Sequence, residues 1–358
     1  MPSCSETSVN SQRRYMLGIG ACLALQPLAF SAYAQSRSTQ RTSSKKRRYP
    51  LQPGQFYWIP QAAPNGPVVA VVNLHTQMVQ VFRNGIAIGF SSSSSGKPGY
   101  GTPSGLFSIL EKRRFHRSST YNNAPMPWMV RLTWSGVAFH AGPLPGYPAS
   151  HGCIRLPSQF APKFFGAVVR GDTVWITNTA LPEETSPMTM LAPITPDGQA
   201  LLTPAAIEQA EYWNPMPENA PSQALPLSLL ASLSQQRLYV LHQGQLLASM
   251  ILPAESSNVQ LDGGALFEWK VAEAAPVAAS TGQWHPQDIN ATQIGESLVQ
   301  HVLPAANPFV QRLRGMLGPD SRLFISHLPA INDLHLKMMQ QQEKLQARHK
   351  KNPTEPAQ

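Results

Sequence analysis

Val68-Val69-Ala70-Val71-Val72-Asn73-Leu74, followed by His75-Thr76-Gln77 and then Met78-Val79-Gln80-Val81-Phe82 up to Asn84-Gly85, is the stretch on which the fold reading turns. Two apolar, β-branched runs flank a short polar turn, and the second stops at a dipeptide that favours tight hairpins. The pattern predicts strands at 68–74 and 78–82, with a third at 86–90. Downstream, 91–105 is rich in Ser, Gly and Pro and reads as a loop. Further strands are expected at 106–110, 128–132, 136–141 and 173–176. Short strands with frequent turns specify a mainly β domain, sandwich- or barrel-like. One short helix is expected at 158–169, where Phe160, Phe164 and Val168 recur at i, i+4 and i+8. Pro162 conflicts with the interior of that helix.

Composition sets the outer bounds. At 358 residues and 42% hydrophobic, the chain is large enough for about two cored domains and too apolar for wholesale disorder. Thirty-four prolines argue against an all-helical bundle. Three cysteines exclude a disulfide-stapled scaffold and a four-cysteine zinc site. The formal charge is +9, and Arg37, Arg41, Lys45, Lys46, Arg47 and Arg48 lie within twelve residues. That cluster reads as a solvated linker, so no nucleic-acid partner is expected. A basic surface also attracts anionic polymers, but charge alone does not choose one.

Upstream of the strands, Arg13 and Arg14 precede an uncharged run that ends in Ala32-Tyr33-Ala34. We read 1–34 as a secretory signal and 35–66 as a basic Pro/Ser-rich linker, which makes the protein an exported one of the periplasm or cell envelope. The membrane is then met only transiently, unless the run stays uncleaved as an anchor. A lipoprotein box around Cys22 and twin-arginine export are weaker alternatives. Cleavage removes two arginines and one glutamate, which takes the charge from +9 to +8, and leaves Cys153 as the sole cysteine. A lone thiol is either a small buried hydrophobe or a nucleophile, and its neighbours must decide.

On the far side, 67–178 forms the first domain and 179–222 is a Pro-rich linker with one helix near 205–212. A smaller α+β domain is expected at 223–335. Shifted by 159 residues, the segment from Asn73 to Gly85 meets the segment from Ser232 to Gly244 with four identities, so this domain reads as a degenerate repeat of the first. Two ordinary hairpins are the alternative. Residues 336–358 read as an exposed helix and polar tail.

The chemistry concentrates in Val137-Ala138-Phe139-His140-Ala141-Gly142 and Pro148-Ala149-Ser150-His151-Gly152-Cys153-Ile154-Arg155-Leu156. Thiol catalysis needs a thiolate, and an imidazole can take the proton and later return it to a leaving amine. His140 ends an apolar strand thirteen residues before Cys153, with a Gly/Pro-rich loop between them. Gly152 lets a substrate approach the backbone closely, so its N–H and that of Cys153 are candidate oxyanion donors. Taken singly, each residue has a structural reading: His140 a hydrogen-bonded strand residue, Ser150 a loop end, Arg155 a surface charge. A zinc site from His140, His151 and Cys153 fits no common ligand spacing.

Together, Ser150-His151-Gly152-Cys153-Ile154-Arg155 and the upstream His140 resemble the active-site signature of the L,D-transpeptidases, the YkuD-type catalytic domain of cell-wall enzymes. The resemblance extends over 68–177 and includes Gly96-Lys97-Pro98-Gly99-Tyr100-Gly101-Thr102-Pro103-Ser104-Gly105. The loop from His140 to Cys153 is shorter than in many members. The resemblance implies a YkuD-like β-sandwich or barrel. It also implies attack by Cys153 on a diamino-acid carbonyl in a peptidoglycan tetrapeptide stem, loss of D-Ala, and a thioester. His140 would serve as base and then acid, oriented by the Ala141 backbone carbonyl. Ser150, His151, Gly152 and Arg155 would form the oxyanion and substrate site. An amine on a second stem would resolve the thioester into a 3→3 cross-link, or a wall protein would be attached. No cofactor or metal is needed, because the thioester keeps the energy of the broken peptide bond. The competing readings are an L,D-carboxypeptidase or wall-protein-releasing hydrolase using the same cysteine, and a non-catalytic wall-binding module.

Overall fold

The computed structural model describes residues 51–182, 185–214, 224–261, 263–271 and 282–351. The expected signal at 1–34, much of the linker at 35–66, parts of 179–222 and the end of the tail lie outside the described residues. In chain order the first half supplies β1 (Phe56–Trp58), β2 (Val68–Asn73), β3 (Met78–Arg83), β4 (Ile86–Ser92), β5 (Gly105–Ser108), β6 (Glu111–Arg113), β7 (Met129–Arg131), β8 (Ala138–Ala141), β9 (Ile154–Leu156), α1 (Ala161–Ala167) and β10 (Thr173–Thr177). They form a scaffold sheet ordered β1-β4-β3-β2-β10-β5 and a smaller sheet ordered β6-β7-β8-β9. The mainly β expectation holds. Helix α1 begins at Ala161, later than its apolar period suggests, so Pro162 falls in the first turn, where no backbone N–H is needed.

The second half adds α2 (Pro204–Glu208), β11 (Glu211–Trp213), β12 (Ser228–Ser232), β13 (Arg237–His242), β14 (Gln245–Ile251), β15 (Gly264–Val271), β16 (Gly282–Pro286), α3 (Ile289–Ile294), α4 (Glu296–Val302), α5 (Pro308–Arg314), β17 (Arg322–Ser326) and α6 (Asp333–Lys351). Its sheet runs β11-β14-β13-β12-β17-β15-β16. Apart from β16, this is the order of the first scaffold sheet. The senses also match, with β2/β10 and β12/β17 both parallel. Register breaks fall at Val81/Phe82 and Val240/Leu241, again 159 residues apart. Positive φ occurs at Gln77, Asn84 and Gly85, and at Gln236, Gln243 and Gly244. Where the first half inserts the β6–β9 sheet, the second carries β16 and α3 to α5.

The two halves share one core. Strand β12 is buried on both faces, and its alternation sorts the side chains. Leu230, Tyr239 and Leu241 join the core that holds Val69, Val71 and Phe82, whereas Leu229, Leu238 and Val240 pack with Phe309, Val310 and Leu313. The described residues between 51 and 351 therefore form one compact unit, not two units tethered by a linker. The Pro-rich stretches take part in it. Ala63, Met190, Leu191, Ala192 and Ile194 are fully buried, and Met190 and Ala192 hydrogen-bond along the β4 hairpin end. High proline content suits such irregular but packed backbone as well as it suits a free linker.

Asn84 joins the halves. In the left-handed region at φ 48°, it donates from Nδ2 to Ser228 Oγ at 2.7 Å and accepts at Oδ1 from the Gly244 N–H at 2.7 Å. Asn84→Ala leaves a buried donor unpaired and places a poorly tolerated residue at positive φ. We expect a loss of about 2–4 kcal/mol, read as a lower denaturant midpoint with an unchanged slope.

His335 on α6 is buried, and burial lowers its pKa to about 4. Nε2 donates to Leu191 O at 3.0 Å, and Nδ1 accepts from the Asn332 N–H at 3.2 Å, so the neutral ring suits its partners. The unfolded chain binds this proton from about pH 6.5 downward. Stability present above that pH is therefore lost as pH falls toward 4, by about 3 kcal/mol in all. His335→Gln should flatten this part of a stability–pH curve. An unchanged curve would exclude His335 as its source.

Candidate active site

Strands β8 and β9 run parallel, with Phe139 beside Ile154, His140 beside Arg155 and Ala141 beside Leu156. Alternation sends Phe139, Ile154 and Leu156 into the core. On the opposite face Ala138, His140, Cys153 and Arg155 line a cleft of about 760 Å³, together with Gly136, Arg131, His116, Tyr121 and His151. One step back along the register sets Cys153 beside Ala138. His140 is therefore its diagonal neighbour, with Cα atoms about 8 Å apart.

His140 Nδ1 lies 2.8 Å from Ala141 O. A carbonyl only accepts, so Nδ1 carries the proton and Nε2 keeps its lone pair. Burial lowers the His140 pKa from 6.5, with Arg155 adding to the effect against the Ala141 bond. Burial likewise raises the Cys153 thiol above its ordinary 9.0, opposed by the Ala138 N–H and by the charges of Arg155 and Arg131. At neutral pH the resting pair is thus thiol and neutral imidazole, not a preformed ion pair. The thiol donates to Gly136 O at 3.4 Å.

The motif is braced from behind by a segment that composition reads as a loop. Ser91 to Ser95 are all buried. Ser94 exchanges both backbone bonds with Arg155, Ser95 O accepts from the Ala149 and Ser150 N–H groups, and the Lys97 N–H donates to Ser150 O. Serine-rich segments mislead because their hydroxyls compete with the ladder when exposed, but these are held inside it. Gln77 secures the run, accepting from the Ser95 N–H and donating to Ser95 Oγ, each at 2.8 Å. Thr102 Oγ1 donates to Gly152 O and accepts from the Gly96 N–H, both at 2.9 Å, which clamps the Gly-Lys-Pro-Gly loop onto the motif. Gly96 has no alternative here, since a Cβ would sit 2.0 Å from Tyr100 O.

Two of the expected site residues already have partners. The Gly152 N–H, a candidate oxyanion donor, is bound to Ser150 Oγ at 3.1 Å, and Ser150 Oγ in turn donates to Cys153 O at 2.5 Å. Ser150 therefore shapes the turn, and Gly152 supplies its φ of +109°. The His151 ring stacks on Tyr121 at 4.7 Å and meets Tyr100 edge-on at 4.7 Å, so it ties two loops together at the cleft mouth. Arg155 lines the cleft, with its stem along Gly142. Sequence reasoning missed Arg131, His116, Tyr100 and Tyr121. The only local hint was Tyr100, inside the Gly-rich segment already singled out. Among the described residues, no group of three or more His, Cys, Asp or Glu is arranged to hold a metal ion.

Residues 67–176 match the family model described as the L,D-transpeptidase catalytic domain, YkuD. The chain is 35% identical over 122 residues to L,D-transpeptidase 1 of Mycobacterium tuberculosis, covering 30% of this chain and 48% of that protein. It is 31% identical over 129 residues to L,D-transpeptidase 2 of the same organism, covering 31% of each. The chain thus spans about half the length of the first relative and about a third of the second. Among solved structures, an L,D-transpeptidase from M. tuberculosis H37Rv aligns at 28% identity, with a TM-score of 0.31, covering 32% of this chain and 59% of that one. A structure of an L,D-transpeptidase in complex with imipenem aligns at 29%, with a TM-score of 0.30, covering 32% and 60%. The segment 67–176 belongs to the L,D-transpeptidase catalytic-domain family.

Proposed function

We propose that this protein is a cysteine-dependent L,D-transpeptidase that works outside the cytoplasm on peptidoglycan tetrapeptide stems, joining them by 3→3 cross-links or attaching a wall protein. The observation that carries the reading is that His140 on β8 and Cys153, immediately before the parallel strand β9, line one cleft, with His140 Nδ1 pinned to Ala141 O.

The proton moves with the attack. Cys153 Sγ turns from Gly136 O, gives its proton to His140 Nε2 and bonds to the donor carbonyl carbon. The Cys153 N–H, together with the Gly152 N–H once it leaves Ser150 Oγ, meets the developing oxyanion. The imidazolium then protonates the leaving amine of D-Ala, and the carbonyl remains on sulfur as a thioester. An acceptor amine attacks this thioester, His140 takes the surplus proton, and the thiol is restored. With Arg131 and Arg155 on its walls and no acidic side chain among its described lining residues, the cleft favours an anionic donor.

Incubation of purified protein with muropeptides, followed by mass spectrometry, tests the reading. Dimers joined between diamino acids are expected. Trimmed tripeptides without dimers would instead identify a carboxypeptidase or hydrolase, and unchanged muropeptides a binding module.

A further inference from the structure

One cross-strand row holds a cation that takes no part in the proton transfers of the acyl-transfer scheme. Glu111 on β6 pairs with Arg131 on β7, and Arg131 pairs with Ala138 on β8. Extending the β8/β9 register by one residue brings Cys153, which packs against the cluster that holds Ala138, to the end of the row. Directly paired residues share a face, so Arg131 looks across Ala138 toward the thiol, about 10 Å away at the Cα atoms. The alanine methyl is all that stands between them in the row, and an extended arginine covers more than half of the distance.

Arg131 is also held in place. Its Nε donates to Glu111 Oε2 at 3.0 Å, while Glu111 Oε1 is taken by Arg113. The three side chains together keep a net positive charge. With Nε engaged, the Nη edge remains, and Nη2 lies 3.5 Å from His116 Nε2, which also lines the cleft. Burial and the flanking arginines hold His116 below its ordinary pKa, so at neutral pH the ring brings no positive charge to compete for an anion. A guanidinium fixed through Nε, with Nη2 beside His116 and Nη1 without a partner among the described residues, is placed to receive a carboxylate in a cleft lined by none, and its donor fork suits that better than a point charge.

We propose that Arg131 anchors a carboxylate of the donor peptide and so sets which carbonyl reaches Cys153. This rests on the stem-peptide reading above. The carboxylate belongs either to the leaving D-amino acid or to the side chain of the diamino acid, and the two sources are separable by synthesis.

The test is the affinity of a synthetic tetrapeptide for full-length Cys153→Ala protein, with and without Arg131→Gln, by titration calorimetry. The peptide is used free and amidated at one carboxylate or the other. Arg131→Gln should weaken binding of the free peptide at least tenfold. Amidation at the recognised carboxylate should weaken binding to the Arg131 protein by a similar factor and leave the Arg131→Gln protein indifferent. Arg131→Lys, which keeps a charge beside Glu111, should fall between the two and covers the case in which Arg131→Gln does not fold. Equal sensitivity to amidation with and without Arg131, or no measurable binding of any tetrapeptide, overturns the proposal. The transpeptidase reading fails separately, if wild-type protein binds the peptide in this Arg131-dependent way yet forms no acyl adduct by intact mass.

Discussion

Cys153→Ser is expected to lower turnover of stem peptides by about 10⁴-fold or more and to abolish the covalent adduct that wild-type protein should form with a carbapenem. Two features make the effect large. Hydroxyl is a far weaker acid than thiol, and burial already works against ionisation at this position, as the raised Cys153 pKa shows. An imidazole whose own pKa is depressed is too weak a base to compensate. The fold should hardly notice, because the thiol's 3.4 Å bond to Gly136 O and its contact with the Ala138 N–H are both ones a serine hydroxyl can make. Intact-mass spectrometry after imipenem treatment reads the chemistry, and thermal denaturation reads the fold. A wild-type mass unchanged by the drug would count heavily against Cys153 as the nucleophile. Undiminished turnover by the serine variant would remove it from the reaction.

His140→Gln should cost about 10²- to 10⁴-fold in kcat/KM, the ordinary share of general acid–base catalysis. Glutamine can still donate to Ala141 O from its amide, but it cannot carry a proton between thiol and leaving amine. The pH profile of the wild type carries the finer content. The base must be neutral, so activity falls on the acid side as His140 is protonated. Because burial lowers its pKa, that limb lies below pH 6.5. Cys153 is raised above 9.0, so no limb from thiol ionisation is expected between the two, and kcat/KM should be flat across neutral pH. A profile that climbs steadily from pH 7 to 9 would show the thiol titrating before attack and would overturn the neutral-pair mechanism.

Several parts of this structure were legible residue by residue. The β-branched runs at 68–74 and 78–82 and the Asn84-Gly85 turn are local signals, and the hairpin they specify is present as β2, β3 and the turn into β4. The offset of 159 was visible in four identities, and the same offset recurs in the positive-φ positions of both hairpins. Other readings failed for definite reasons. Ser91 to Ser95 look like loop because serine disfavours exposed strands, yet here the Ser94 and Ser95 hydroxyls and backbone are satisfied inside the sheet against Gln77, Tyr147 and Arg155. Residues 190–194 look like linker because prolines flank them, yet they fill the seam between the halves.

By itself the sequence determined the β character of the chain, the turn that closes its first hairpin and the set of residues able to do thiol chemistry, because these depend on side-chain type and spacing within a few positions. Tertiary structure alone decided that the halves share a core, that His151 is gripped by two tyrosines, that the Gly152 N–H is already partnered, and that Arg131 faces the thiol across an alanine. Each of these depends on which strands lie side by side. It also decided the protonation of the central pair, since burial, the quantity that moves both pKa values toward the neutral forms, belongs to the folded chain and to no residue taken singly.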